Sequence, residues 1–141
     1  MERLLDNILR YFNINSAAEF GVSKATPILC GQIPVFTVYC TPDDEKLVSF
    51  PEDCDASLEN YVEYGDIEWC INHVNPQYDL AILSTEDFNI ALSVFWKMVD
   101  LNVPYIISRK DLGRKRNYTQ RVFGTLDDKW YVYYKDLIAQ W

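Results

Sequence analysis

The 141-residue chain has one histidine and five glycines, and it lacks the G-x-x-x-x-G-K-[ST] run with which phosphate-loop proteins cradle a nucleotide. That absence excludes a phosphate-loop hydrolase. A lone histidine, His73, leaves no second ligand pair for a zinc site, and nucleophilic catalysis has little to build on. No segment reaches the run of about 18 apolar residues that a membrane-spanning helix needs. The first twelve residues alternate charged and apolar groups as an amphipathic helix does, so no signal peptide is expected. Repeats, low-complexity tracts and linkers are also missing, and a single domain over residues 1–141 is the expectation. Cys30, Cys40, Cys54 and Cys70 have no close pairing, which suits buried, reduced thiols in a cytoplasmic protein better than a disulfide framework.

Bases are scarce. Thirteen Lys and Arg face 21 Asp and Glu, a formal charge of −8. The imbalance is local: residues 1–41 carry three acids and three bases, residues 42–100 fourteen and two, and residues 101–141 four and eight. The acidic middle repels phosphate backbones and favours basic partners, whereas the basic end could meet an anion.

What is abundant is apolar and aromatic surface, 49% and 15% of residues, enough to form a core without disulfides or a structural metal. Leu4, Leu5, Ile8, Leu9 and Phe12 recur at helical spacing and predict a helix over 2–12. Ser16 followed by Glu19 has the pattern of a capping box and predicts a short second helix ending near Gly21. Ile28 to Cys30, Val35 to Thr41 and Lys46 to Phe50 predict three short strands in an antiparallel hairpin or meander. Helical spacing returns over Ser57 to Asn75, interrupted at Gly65. The run Tyr78 to Ser84, the apolar helix from about Glu86 to Leu101 and the run Val103 to Ser108 predict a β-α-β unit with parallel strands. Residues 120–126 predict a strand, and Trp130 to Tyr134 a further strand passing into a terminal helical turn. The fold class is α/β or α+β: one mixed-sheet domain with an N-terminal helix, a hairpin or meander, then the β-α-β unit.

Three segments resemble known motifs. Ala17 to Thr26 resembles the centre of a helix-turn-helix, but Pro27 and Gly31 stop the recognition helix that DNA reading requires. Val103 to Leu112 resembles the guanine-recognition strand and loop of GTPases, with Ser108 and Arg109 in place of asparagine and lysine and Asp111 matching the aspartate. The order of elements resembles a nuclease core, and Asp43, Asp44, Glu45 and Lys46 offer carboxylates and a lysine. They are consecutive, however, and lie in a turn. Cys70 and His73 share a helix face, where a buried cysteine beside an exposed histidine is the simpler reading.

Two charge clusters remain. Asp43, Asp44, Glu45, Glu52, Asp53, Asp55, Glu59, Glu63, Asp66 and Glu68 are interleaved with Phe50, Tyr61, Tyr64 and Trp69, a composition suited to a basic protein partner. Arg109, Lys110, Arg114, Lys115, Arg116 and Arg121 follow the second strand of the β-α-β unit, with Asp111 the one acid among them. The expectation from sequence is a non-catalytic, acidic interaction module that binds and regulates or inhibits a basic partner protein, nucleases and other nucleic-acid-binding proteins being one such class, as immunity proteins, antitoxins and virus-encoded inhibitors do. Its contact residues would be Asp43, Asp44, Glu45, Glu52, Asp53, Asp55, Glu59, Tyr61, Glu63 and Tyr64. The alternative is an α/β ligand-binding or degenerate nuclease-like domain that uses Arg109, Lys110, Arg114, Lys115 and Arg116 for a phosphate-bearing ligand or nucleic acid. Neither reading calls for a cofactor, a metal or a membrane.

Overall fold

In a computed structural model the described residues are 10, 13–40, 57–60, 78–124 and 129–135. They build one seven-stranded sheet flanked by two helices. In chain order the elements are β1 (Ser16–Phe20), α1 (Thr26–Gln32), β2 (Val35–Cys40), β3 (Ser57–Asn60), β4 (Leu80–Leu83), α2 (Phe88–Asp100), β5 (Tyr105–Ser108), β6 (Tyr118–Gly124) and β7 (Lys129–Lys135). Across the sheet the order is β3-β2-β1-β4-β5-β7-β6. The first five strands pair in parallel, and β7 runs antiparallel to both β5 and β6.

Strands covered on both faces read as continuous apolar runs, and here each face has its own core. Ala18, Phe20, Ala81, Leu83 and Ile106 face α2, which contributes Ile90, Ala91, Val94, Phe95 and Met98. Ala17, Val38, Leu80, Ile82 and Ile107 face the other way, toward Ala25, Leu29 and Cys30 at α1. Successive side chains on a strand alternate faces, so the small pair Ala17 and Ala18 serves one layer each. Asp87 starts α2 by accepting hydrogen bonds from the backbone N–H groups of Asn89 and Ile90.

The α/β class, the mixed sheet and the β-α-β unit of β4, α2 and β5 agree with the sequence. Elsewhere local signals mislead. Ser16 to Glu19 is strand, not a capped helix: Ser16 Oγ accepts from the Asp79 N–H, and Glu19 turns to three hydroxyls instead of to a helix start. Ile28 to Cys30 is helical because Pro27 falls in the first turn of α1, where its missing N–H costs nothing. The expected antiparallel hairpin is therefore a parallel β1-α1-β2 crossover. Ser57–Asn60 pairs with β2 as a strand rather than starting a helix. The rest of the acidic stretch, the predicted helix over 2–12 apart from Arg10, the strand over 46–50 and the terminal helical turn lie outside the described residues. No helix among the described residues is long and apolar enough to cross a membrane.

Candidate active site at the carboxyl ends of the parallel strands

In an open parallel sheet, ligands bind beyond the carboxyl ends of the strands where the strand order reverses. Here the reversal falls at β1: the chain crosses to β2 and β3 on one side, then returns to β4 and β5 on the other. Three backbone bonds draw these strand ends together. The Gly21 N–H donates to the Tyr39 carbonyl at 2.8 Å, while the N–H groups of Ser84 and Thr85 both donate to the Phe20 carbonyl at 3.0 Å. Gly21 has φ +88°, and a Cβ there would lie 2.8 Å from the Thr85 nitrogen. Only glycine fits both the turn and the approach of β4.

Glu19 lies under this turn with no solvent exposure. Three hydroxyls donate to its carboxylate: Ser23 Oγ at 3.0 Å, Thr26 Oγ1 at 2.5 Å and Ser84 Oγ at 2.5 Å. Ser23 and Thr26 also accept from the loop backbone, Thr26 Oγ1 from the Ser23 N–H and Ser23 Oγ from the Ala25 N–H. One carboxylate thus ties β1, the following turn, α1 and the end of β4 into a unit. Burial penalises its charge more than the three hydroxyls relieve it, and its pKa is raised to about 7. The ring of Tyr39, at the end of β2, stacks on Phe20 at 4.6 Å, and its hydroxyl lies 3.1 Å from that of Tyr78.

The rim on the β5 side is cationic. The Arg109 N–H donates to the Leu83 carbonyl, fixing the start of the basic segment beside the end of β4. Arg109 Nε and Lys110 Nζ reach the two carboxylate oxygens of Glu86 at 3.2 and 3.3 Å. Burial would raise the Glu86 pKa, but the Lys110 hydrogen bond and the Arg109 charge and hydrogen bond outweigh it and hold the group below its ordinary value. The Arg109 guanidinium also lies over the Trp130 ring, and Lys115 lies over Trp96 at 4.2 Å. Arg114 and Arg116 are exposed. Asp111 turns to the Gly113 N–H and to Gln120.

Of the residues singled out from sequence, the structure therefore brings Arg109 and Lys110 to the rim and carries Arg114, Lys115 and Arg116 away along the same connection. Asp43, Asp44, Glu45, Glu52, Asp53, Asp55, Tyr61, Glu63 and Tyr64 lie outside the described residues, as do Cys70 and His73. Glu59 falls in β3, opposite Tyr39. Glu19 was missed, because its Ser16 spacing imitates a helix cap. The usable signal was a short apolar strand, SAAEF, ending on Gly21 with a helix beginning five residues later.

A sheet of this order, with one antiparallel strand next to the last, defines a doubly wound α/β fold. Solved structures that share it include methyltransferases. An rRNA methylase from Streptococcus thermophilus matches with TM-score 0.63 and 12% identity over 94% of each chain. Magnesium protoporphyrin IX methyltransferase from Synechocystis PCC 6803, solved with bound SAM, matches with TM-score 0.58 and 8% identity over 95% of this chain and 77% of that one. Human N-acetylserotonin methyltransferase in complex with SAM matches with TM-score 0.52 and 11% identity over 92% and 50%. No family model matches the sequence, and no curated protein does. At these identities the likeness establishes the fold. It overturns the reading of the chain as an acidic inhibitor or regulatory interaction module: the near-complete overlap is with enzymes, and acidity carried no information about the fold.

Proposed function

We propose that this chain is a cytoplasmic methyltransferase that binds S-adenosylmethionine above β1, between the ends of β2 and β4. The observation that carries the reading is the Glu19 assembly: a fully buried carboxylate beneath a glycine turn, at the switch point of a sheet shared with methyltransferases. The donor set suits the cofactor. S-adenosylmethionine presents an ammonium, a sulfonium and a carboxylate, and the turn offers the Glu19 charge from below, the half-buried Ser23 hydroxyl and the exposed Lys24 ammonium. When bound, the cofactor supplies an electrophilic methyl group. The chain's own part is to hold the turn in shape, through Glu19, Ser23, Thr26 and Ser84, and to place negative charge near the cofactor's cations. The buried Cys30 and Cys40 side chains accord with a reducing compartment.

Isothermal titration with S-adenosylmethionine and S-adenosylhomocysteine tests this directly. One saturable site per chain is expected. Because a bound cation favours the ionised carboxylate, affinity for S-adenosylmethionine should rise as pH passes upward through about 7, and Glu19→Gln should remove that dependence. No saturable binding of either ligand to folded protein would refute the proposal.

A further inference from the structure

We propose that the connection from β5 to β6 is a docking track for the backbone of a single-stranded polynucleotide, which makes nucleic acid the substrate class of the site above. The substrate role rests on the methyltransferase reading, whereas the binding surface is independent of it.

Residues 109–121 hold six of the chain's thirteen bases and one acid, and that acid, Asp111, is turned to Gly113 and Gln120. The cations do not gather at a point. The connection leaves the carboxyl end of β5 at Ser108, beside the candidate cofactor site, and must reach β6, which is parallel to β5. In the register, Thr119 pairs with Tyr134, which pairs with Tyr105 at the opposite end of β5. The segment thus descends the whole strand, three residue steps or about 10 Å. Arg109 and Lys110 stand at the upper end, and Arg114, Lys115 and Arg116 along the descent. Spacing of this kind matches successive phosphates of a chain better than the compact charge of one nucleotide.

The track also has an aromatic element. Trp96, on α2, is 45% exposed, an unusual position for so large a ring, and Lys115 lies across it. An exposed indole beside a cation, on a segment rich in further bases, is the combination that single-stranded nucleic acid uses, bases stacking on the ring while phosphates meet the charges. Glu86 completes the picture. Its two oxygens each meet one rim cation, so a carboxylate now occupies the place where a phosphate would bind, and an incoming backbone must displace it. The chain as a whole carries a net charge of −8, so a polyanion is attracted only where bases are locally concentrated, as they are over residues 109–121.

The test is fluorescence anisotropy of a labelled single strand of about 15 nucleotides with the full chain, as a function of salt. Arg114→Ala with Arg116→Ala should weaken binding about tenfold at low salt and flatten the log–log salt slope by about 1.4. Trp96→Ala should weaken it at every salt concentration without changing that slope. Glu86→Gln should act in the opposite direction and tighten binding, by roughly threefold, because two cations lose an internal competitor. Binding indifferent to all of these changes would overturn the proposal. So would competition by poly-glutamate, or by a free mononucleotide, as effective per charge as the oligonucleotide. S-adenosylhomocysteine affinity, measured on the Arg114→Ala with Arg116→Ala and the Trp96→Ala proteins, should stay unchanged. Its absence in the unaltered protein would refute the methyltransferase reading while leaving the anisotropy results to decide the track.

Discussion

The floor and the rim of the candidate site solve the same problem, a carboxylate among hydrogen-bond donors, in opposite ways. On the floor, Glu19 is fully buried and meets neutral hydroxyls. On the rim, Glu86 keeps a side chain 70% exposed and meets two cations. Their pKa values consequently move apart, Glu19 up to about 7 and Glu86 below its ordinary value. Burial fixes shape at the expense of charge, and exposure keeps charge at the expense of rigidity. The floor should therefore govern stability and cofactor binding, and the rim should govern the encounter with substrate.

The sharpest way to break this division is Gly21→Ala. A methyl at φ +88°, 2.8 Å from the Thr85 nitrogen, has to force β1 and β4 apart. A loss of about 2–5 kcal/mol is expected in urea denaturation, from left-handed strain plus overpacking. A loss typical of surface sites would show that the strand ends are not packed as described.

Next comes the pH dependence of stability. Because the folded-state pKa of Glu19 lies above its unfolded value of 4.5, the native state binds the extra proton between the two values. Its contribution is complete below pH 4.5, declines as pH rises, and is gone above about 7. The swing is about 3 kcal/mol, and Glu19→Gln should flatten that part of the stability curve. The same curve should barely respond to Glu86→Gln.

Smaller effects belong to the helix start and the rim. Asp87→Ala leaves the Asn89 and Ile90 N–H groups without their cap and should cost about 1 kcal/mol in thermal or urea unfolding. Glu86→Gln, in an ion pair largely open to water, should change stability by less than about 1 kcal/mol. A larger cost there would mean that the rim is structural and would blur the contrast with the floor.

How much of this could be read from sequence follows from where the information is stored. The β4-α2-β5 unit was legible because its strands are buried on both faces and its helix is long enough to show a period. Strand β1 was not, since five residues with two alanines show no alternation, and Ser16 and Glu19 have the spacing of a cap. Strand β3 is an edge strand of four residues, too short to show a period, and it opens a stretch whose apolar spacing in sequence is helical. In the site, Arg109 and Lys110 stood out as bases after an apolar strand, the place where such sheets bind ligands. Glu19 could not stand out, because its partners Ser23, Thr26 and Ser84 are brought together only by the crossover and by the β1–β4 pairing, the last of them 65 residues away. The acidic stretch, by contrast, drew attention through composition alone, and composition speaks to partners and solubility rather than to fold.

The methyltransferase proposal stands or falls with a cofactor site formed by the turn after β1 and the end of β4. Amide chemical-shift mapping during titration of the 15N-labelled protein with S-adenosylhomocysteine tests it most directly. Saturable shifts concentrated at residues 20–26 and 83–86 are expected, with Arg114 to Arg116 unmoved. Shifts that are absent, or that centre on the β5–β6 connection instead, would contradict it.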